Sequence, residues 1–115
     1  MKKIVLIGLL LQFTVANDEA MRQLYLKNGC NACHGMYAEG IGAAPKLAGV
    51  REEVLMERLR NLQNGKTRSA FGTIMISFAK ALDENQTKAM AKYLSGLKKH
   101  EPEERYEEDE FDVTS

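Results

Sequence analysis

Five consecutive residues, Cys30-Asn31-Ala32-Cys33-His34, carry side chains that can bind a metal and form covalent bonds. Two thiols three residues apart lie on one face of a helical turn, so each can add to a vinyl group on one edge of a porphyrin. The histidine that follows can bind the porphyrin iron through its imidazole. The C-x-x-C-H spacing therefore predicts one covalently bound haem c, with thioether bonds at Cys30 and Cys33 and with His34 as the proximal iron ligand.

The C-x-x-C part of this motif also occurs in zinc sites and in redox dithiols. A zinc site needs two further ligands, and the chain has no other cysteine and only one other histidine, His100. A thioredoxin-like dithiol follows a strand of a parallel sheet, whereas the segments here have helical patterns. These features favour haem attachment, with an ordinary surface dithiol or disulfide as the alternative.

The N-terminus has the pattern of a secretory signal peptide. A short basic region, Met1–Lys3, precedes a mainly apolar run of thirteen residues that ends in the small residues of Thr14-Val15-Ala16. At about 1.5 Å per residue such a run covers about 20 Å, which is less than the roughly 30 Å hydrocarbon core of a bilayer. We therefore predict that residues 1–16 are cleaved and that the protein is periplasmic. An uncleaved anchor is the weaker alternative.

The charges divide the remaining chain into two parts. Residues 17–100 contain 13 basic and 8 acidic side chains, whereas residues 101–115 contain one arginine and eight acidic side chains. The first part is long enough for one small domain. The second begins near Pro102 and lacks an apolar stripe, so we predict an acidic, disordered tail. The alternative is that the tail contacts a basic face of its own domain or a basic partner.

Hydropathy patterns predict an all-α domain. Three segments have apolar residues at helical spacing: residues 18–28, 52–64 and 84–97. The expected apolar contacts of the first segment are Ala20, Leu24 and Leu26. Gly29 ends the first helix, and Asp83-x-x-Gln86 is a capping box that starts the last. Residues 35–49 form a glycine-rich loop that can approach a flat ligand closely.

The order of the motifs resembles the class I cytochrome c family across nearly all of residues 18–99. The matching motifs are Cys30-x-x-Cys33-His34-Gly35, Pro45-Lys46-Leu47-Ala48-Gly49, Leu55-x-x-x-Leu59-x-x-x-x-Asn64-Gly65-Lys66, Met75-x-x-Phe78-Ala79-Lys80-x-Leu82 and Ala91-Lys92-Tyr93-Leu94. The chain is also similar to a single-haem half of the bacterial tandem dihaem cytochromes c and to the cytochrome subunit of flavocytochrome c sulfide dehydrogenase. The resemblance implies a small fold of three main helices and loops wrapped around one haem.

The chain after residue 16 offers five methionines as the second axial ligand of the iron. The helical spacing of Met56 and Met90 indicates core packing. Met36 follows His34 too closely to reach the opposite face of a haem easily. Met21 lies on the first helix, which in the resembled family packs against the last helix and not over the iron.

The resemblance implies that Met75, seven residues before Leu82, is the distal iron ligand; an apolar residue over the porphyrin is the alternative reading of Met75. It also implies that the carbonyl of Pro45 accepts a hydrogen bond from the second ring nitrogen of His34, although the proline could simply stiffen a loop. His100 is a further candidate ligand, but it follows two lysines beyond the last helix, so we expect a solvated side chain.

An iron with two protein ligands is suited to one-electron transfer, because no substrate can readily coordinate it. We therefore expect a monohaem electron carrier of a respiratory chain and not an enzyme. The alternatives are the haem subunit of a flavocytochrome c sulfide dehydrogenase complex and a haem sensor or peroxidase with a labile sixth ligand.

The expected partners are redox proteins, either a flavoprotein or a respiratory complex. Four lysines flank the segments expected around the haem edge and favour an acidic partner: Lys27, Lys46, Lys66 and Lys80. We expect no nucleic-acid partner and no stable membrane insertion after signal cleavage. The expected assembly is a monomer or one subunit of a heterodimer.

Overall fold

The computed structural model describes residues 17–97, in which five helices and no strand occur. The helices are α1 (residues 17–27), α2 (Cys30–His34), α3 (Glu52–Gln63), α4 (Thr73–Lys80) and α5 (Glu84–Gly96). The all-α prediction is confirmed. The proposed signal peptide, His100 and the acidic tail lie outside the described residues. In the described part, no helix is long and apolar enough to cross a membrane.

The three predicted helices correspond to α1, α3 and α5, and the structure adds two shorter ones. Helix α2 contains the C-x-x-C-H motif and lies between Gly29 and Gly35, whose φ angles of 74° and 91° are costly for other residues. Helix α4 occupies a segment between the second and third predicted helices, for which we predicted no helix, and contains Met75. Its β-branched residues give little intrinsic helix propensity, so packing against α3 must stabilise it.

The core lies where α1, α3 and α5 meet. Its buried members on these helices are Tyr25, Leu55, Met90, Ala91 and Leu94. In α1 the most deeply buried side chain is Tyr25, while Leu24 and Leu26 are half-buried and Ala20 is exposed. The predicted contacts of this helix were therefore incomplete, because a tyrosine in an amphipathic pattern can equally well be an exposed residue.

The capping box at the start of α5 is confirmed. The Asp83 carboxylate accepts a hydrogen bond from the Gln86 backbone N–H at 2.7 Å, and the Gln86 side chain accepts one from the Asp83 N–H at 3.1 Å. These two bonds fix the position at which the chain leaves α4 and enters α5.

The loop of residues 35–49 folds back on α2 through backbone hydrogen bonds. Gly40 N–H donates to the carbonyl of His34 at 2.7 Å, and the N–H groups of Leu47 and Ala48 both donate to the carbonyl of Ala38. Ala38 is fully buried and has a left-handed φ of 54°. This compact loop brings the segment around Pro45 next to the C-x-x-C-H helix.

Candidate haem site

A solvent-open cleft lies among the helices, and all five helices contribute to its lining. Its walls are mainly apolar. The lining residues are Tyr25, Asn28, Cys30, His34, Leu47, Leu59, Met75, Phe78, Ala79, Leu82, Met90 and Leu94.

His34 is buried in this cleft, and its imidazole contacts the loop of residues 35–49. Its Nδ1 atom lies 2.8 Å from the carbonyl oxygen of Pro45, and only 4 % of the residue is exposed. Because a carbonyl oxygen can only accept, Nδ1 must carry the proton in this contact. The lone pair of the neutral ring is then on Nε2, which is the arrangement that a metal-binding histidine needs.

The two cysteines of the motif differ in exposure. Cys30 is partly buried and lines the cleft, whereas Cys33 is exposed, and the two do not form a disulfide. Burial raises the pKa of the Cys30 thiol, with the neighbouring Cys33 as a smaller cause. The pair thus offers one thiol inside the cleft and one in solvent.

Tyr25 is a component of the site that sequence reasoning did not identify. Its hydroxyl donates a hydrogen bond of 2.7 Å to the carbonyl oxygen of Gly35, the residue after His34. Burial raises the pKa of Tyr25 strongly, so the phenol remains a neutral donor. Only its position in α1, five residues before Cys30, could have indicated this role, and a single sequence does not distinguish it from an exposed tyrosine.

Met75 lies near the start of α4, is partly buried and lines the same cleft as His34. The other described methionines are placed differently. Met90 also lines the cleft, from a buried position in α5. Met21 and Met56 pack against the core, and Met36 is 55 % exposed.

The residues present fit a covalently bound haem. The cleft combines an apolar lining, a histidine whose Nδ1 is occupied, a thioether from a second helix and a thiol at its wall. Soft thioether and imidazole donors are ligands that haem iron accepts. The lysines that we expected around the haem edge, Lys27, Lys46, Lys66 and Lys80, are all exposed.

Comparison with known families agrees with this arrangement. The model of the family described as "Cytochrome c" matches residues 19–98, which is most of the chain. The chain therefore belongs to the cytochrome c family, and its small all-α fold is that of class I. Membership of this family implies covalently bound haem c and a role in electron transfer.

Individual relatives come from three bacteria. Cytochrome c-554(547) of Halothiobacillus neapolitanus is 31% identical over 91 residues, which cover 72% of this chain and 100% of the relative. Cytochrome c-552 of Acidithiobacillus ferridurans is 37% identical over 68 residues, covering 59% of this chain and 28% of the relative. The "Thiosulfate dehydrogenase electron acceptor" of Thiomonas intermedia is 41% identical over 71 residues, covering 60% of this chain and 31% of the relative.

The chain thus spans less than a third of two of these relatives. No solved structure matches it significantly. The finer resemblance to dihaem cytochromes and to the sulfide dehydrogenase subunit stays a prediction.

Proposed function

We propose that this protein is an exported, periplasmic monohaem cytochrome c that carries single electrons between redox partners of a respiratory chain. The observation that carries the proposal is the meeting of His34 and Met75 at one apolar cleft, with Nδ1 of the histidine already bound to Pro45. A signal peptide over residues 1–16 accounts for the export.

In this proposal each named side chain has a defined task. Cys30 and Cys33 would hold the haem through thioether bonds, His34 Nε2 and Met75 Sδ would bind its iron, and the Pro45 carbonyl orients the imidazole of His34. Haem iron supplies a reversible one-electron change, and a histidine–methionine ligand pair raises its potential. The walls of the cleft are mainly apolar, and an iron held by both His34 and Met75 would have no free position for a substrate.

The partner is proposed to be a redox protein with an acidic docking surface, because the four lysines named above are all exposed. One relative is named for accepting electrons from thiosulfate dehydrogenase, which makes a sulfur-oxidising dehydrogenase one candidate donor. The second candidate is an obligate haem subunit bound to a flavoprotein that oxidises sulfide. A shuttle purifies alone, whereas such a subunit copurifies with a flavin-containing chain.

The test is to purify the full chain from a host that attaches haem and to record the ferric absorption spectrum. We expect haem that stays on the polypeptide under denaturing conditions and a weak far-red band from iron bound to methionine. A colourless product or extractable haem would contradict covalent attachment. A high-spin ferric spectrum with peroxidase turnover would favour the sensor or peroxidase alternative.

A further inference from the structure

A single side chain joins the three helices that meet near the C-terminal end of α4. The Nε2 group of Gln63, the last residue of α3, donates to the carbonyl oxygen of Ala79 at 3.0 Å and to Thr87 Oγ1 at 2.9 Å. A glutamine amide has two N–H groups, so these two bonds use its full capacity as a donor. Ala79 belongs to α4 and Thr87 to α5.

A second hydrogen bond orients the Thr87 hydroxyl toward Gln63. This hydroxyl donates to the carbonyl oxygen of Asp83 at 2.7 Å, so an oxygen lone pair remains to accept from Gln63. Within residues 17–97, the buried polar side chains are His34 and Thr87, and Thr87 has no exposed surface. A haem site explains the burial of His34 but not that of Thr87.

Helix α4 needs external support. It has eight residues, no side-chain hydrogen bond at its N-terminal cap and no acidic residue in its first turn. Isolated helices of this length are unstable in water. Ala79 lies four residues after Met75, so both are on one face of α4, and both line the cleft.

We infer that Gln63 and Thr87 are positioning residues that hold α4 so that Met75 stays at the iron. This inference rests on the proposed role of Met75 as the distal ligand. When the two hydrogen bonds of Gln63 are removed, α4 loses a fixed point one turn from Met75, while the contacts of α1, α3 and α5 in the core remain. Dissociation of the thioether then becomes easier without unfolding of the domain.

The experiment measures how easily Met75 is displaced. Haem-loaded wild-type, Gln63→Met and Thr87→Val proteins are oxidised and titrated with imidazole, and the loss of the far-red band is followed. From the usual strength of two hydrogen bonds, we expect the half-displacing imidazole concentration of Gln63→Met to fall about tenfold. Thr87→Val also lowers the half-displacing imidazole concentration, whereas Thr87→Ser, which keeps the hydroxyl, has the wild-type value. The reduction potential of Gln63→Met is lower than that of wild type.

Two matched controls separate positioning from general stability. Gln23→Met makes the same substitution at an exposed residue of α1. Arg60→Met removes a contact between α3 and α5 that does not include α4. We expect both to keep the wild-type imidazole midpoint.

The outcomes are distinct. A wild-type far-red band with unchanged midpoints in Gln63→Met and Thr87→Val overturns this inference alone, as does an equal decrease in Arg60→Met. Absence of the band in wild type overturns both the ligand role of Met75 and this inference. If Gln63→Met does not fold, the imidazole midpoints of Thr87→Val and Thr87→Ser are compared instead. A lower midpoint in Thr87→Val supports the inference, and equal midpoints overturn it.

Discussion

The two sides of the cleft are held by different kinds of contact. On the side of α2, the loop and α1 hold the site through contacts between residues ten and eleven apart in sequence, from Tyr25 to Gly35 and from His34 to Pro45. On the side of α4, Gln63 holds Ala79 and Thr87 across separations of 16 and 24 residues. We call the side of α2 the proximal side and the side of α4 the distal side. The proximal side is a local unit, whereas the distal side depends on the packing of three helices.

This difference has consequences for redox tuning. Because the contacts that orient His34 and Gly35 join residues close in sequence, we expect distant substitutions to have little effect on this side. The position of Met75, the proposed distal ligand, depends by contrast on the helices that support α4. We therefore expect haem attachment to be robust and methionine ligation to be the adjustable part of the site.

The largest expected effect tests the proximal side. Replacing both cysteines, Cys30→Ser with Cys33→Ser, removes both sulfur atoms, and we predict complete loss of haem that survives denaturing electrophoresis and haem staining. The single variant Cys33→Ser serves as the control, since it keeps the thiol that lines the cleft. Covalently retained haem in the double variant would show that attachment does not use this motif.

The next effect tests the distal side. We predict that Met75→Ala abolishes the far-red band and lowers the reduction potential by about 0.1–0.3 V, a fraction of the roughly 0.8 V that axial ligands can span. The covalent haem remains, because the proximal unit is unchanged. Met36→Ala is the matched control, since Met36 is 55 % exposed. A far-red band that survives Met75→Ala would point to another ligand, and Met90 then becomes the first candidate because it lines the same cleft.

The features that could be predicted from the sequence are those that depend on local contacts, as on the proximal side. The motif at Cys30–His34, the capping box at Asp83 and the three long helices depend on contacts close in sequence, and patterns of a few residues indicate them. Helix α4 was not predicted, because its residues form a helix only when packed against α3. The contact of Gln63 with Thr87 was also not predictable, because a glutamine at the end of a helix is usually exposed, and no local pattern indicates a hydrogen-bond partner 24 residues away.

A smaller effect asks how independent the proximal unit is. Tyr25→Phe removes the hydroxyl that donates to Gly35 and leaves a carbonyl in a buried residue without this donor. We predict that the free energy of unfolding falls by about 1–2 kcal/mol, measured by chemical denaturation of the haem-loaded protein. The imidazole midpoint stays at the wild-type value, because α4 is not involved. A decrease in that midpoint would show that the two sides are coupled.

The smallest effect concerns the exposed ion pair of Arg60 and Glu84, which joins α3 to α5 at 2.7 Å, three residues before Gln63 and Thr87 in each helix. The Arg60 guanidinium lowers the pKa of Glu84, first by hydrogen bonding and then by its charge. A carboxyl group with a lowered pKa stabilises the fold above its unfolded pKa of about 4.3, and this contribution is lost as the pH falls through the lower pKa of the folded state.

We therefore predict that Glu84→Gln lowers the thermal unfolding midpoint slightly at neutral pH, by less than Tyr25→Phe, and that the midpoints of wild type and variant converge as the pH falls through the lowered pKa of Glu84. Both side chains of the pair are about half exposed, at 47% and 55%, which keeps the effect small. The far-red band is expected to be unchanged, since the pair joins α3 to α5 without contacting α4. Glu84→Gln could instead promote displacement of Met75 as strongly as Gln63→Met does. That result would show that the position of Met75 depends on the spacing of α3 and α5. The hydrogen bond from Gln63 to Ala79 would then not be the feature that distinguishes the distal side from the proximal side.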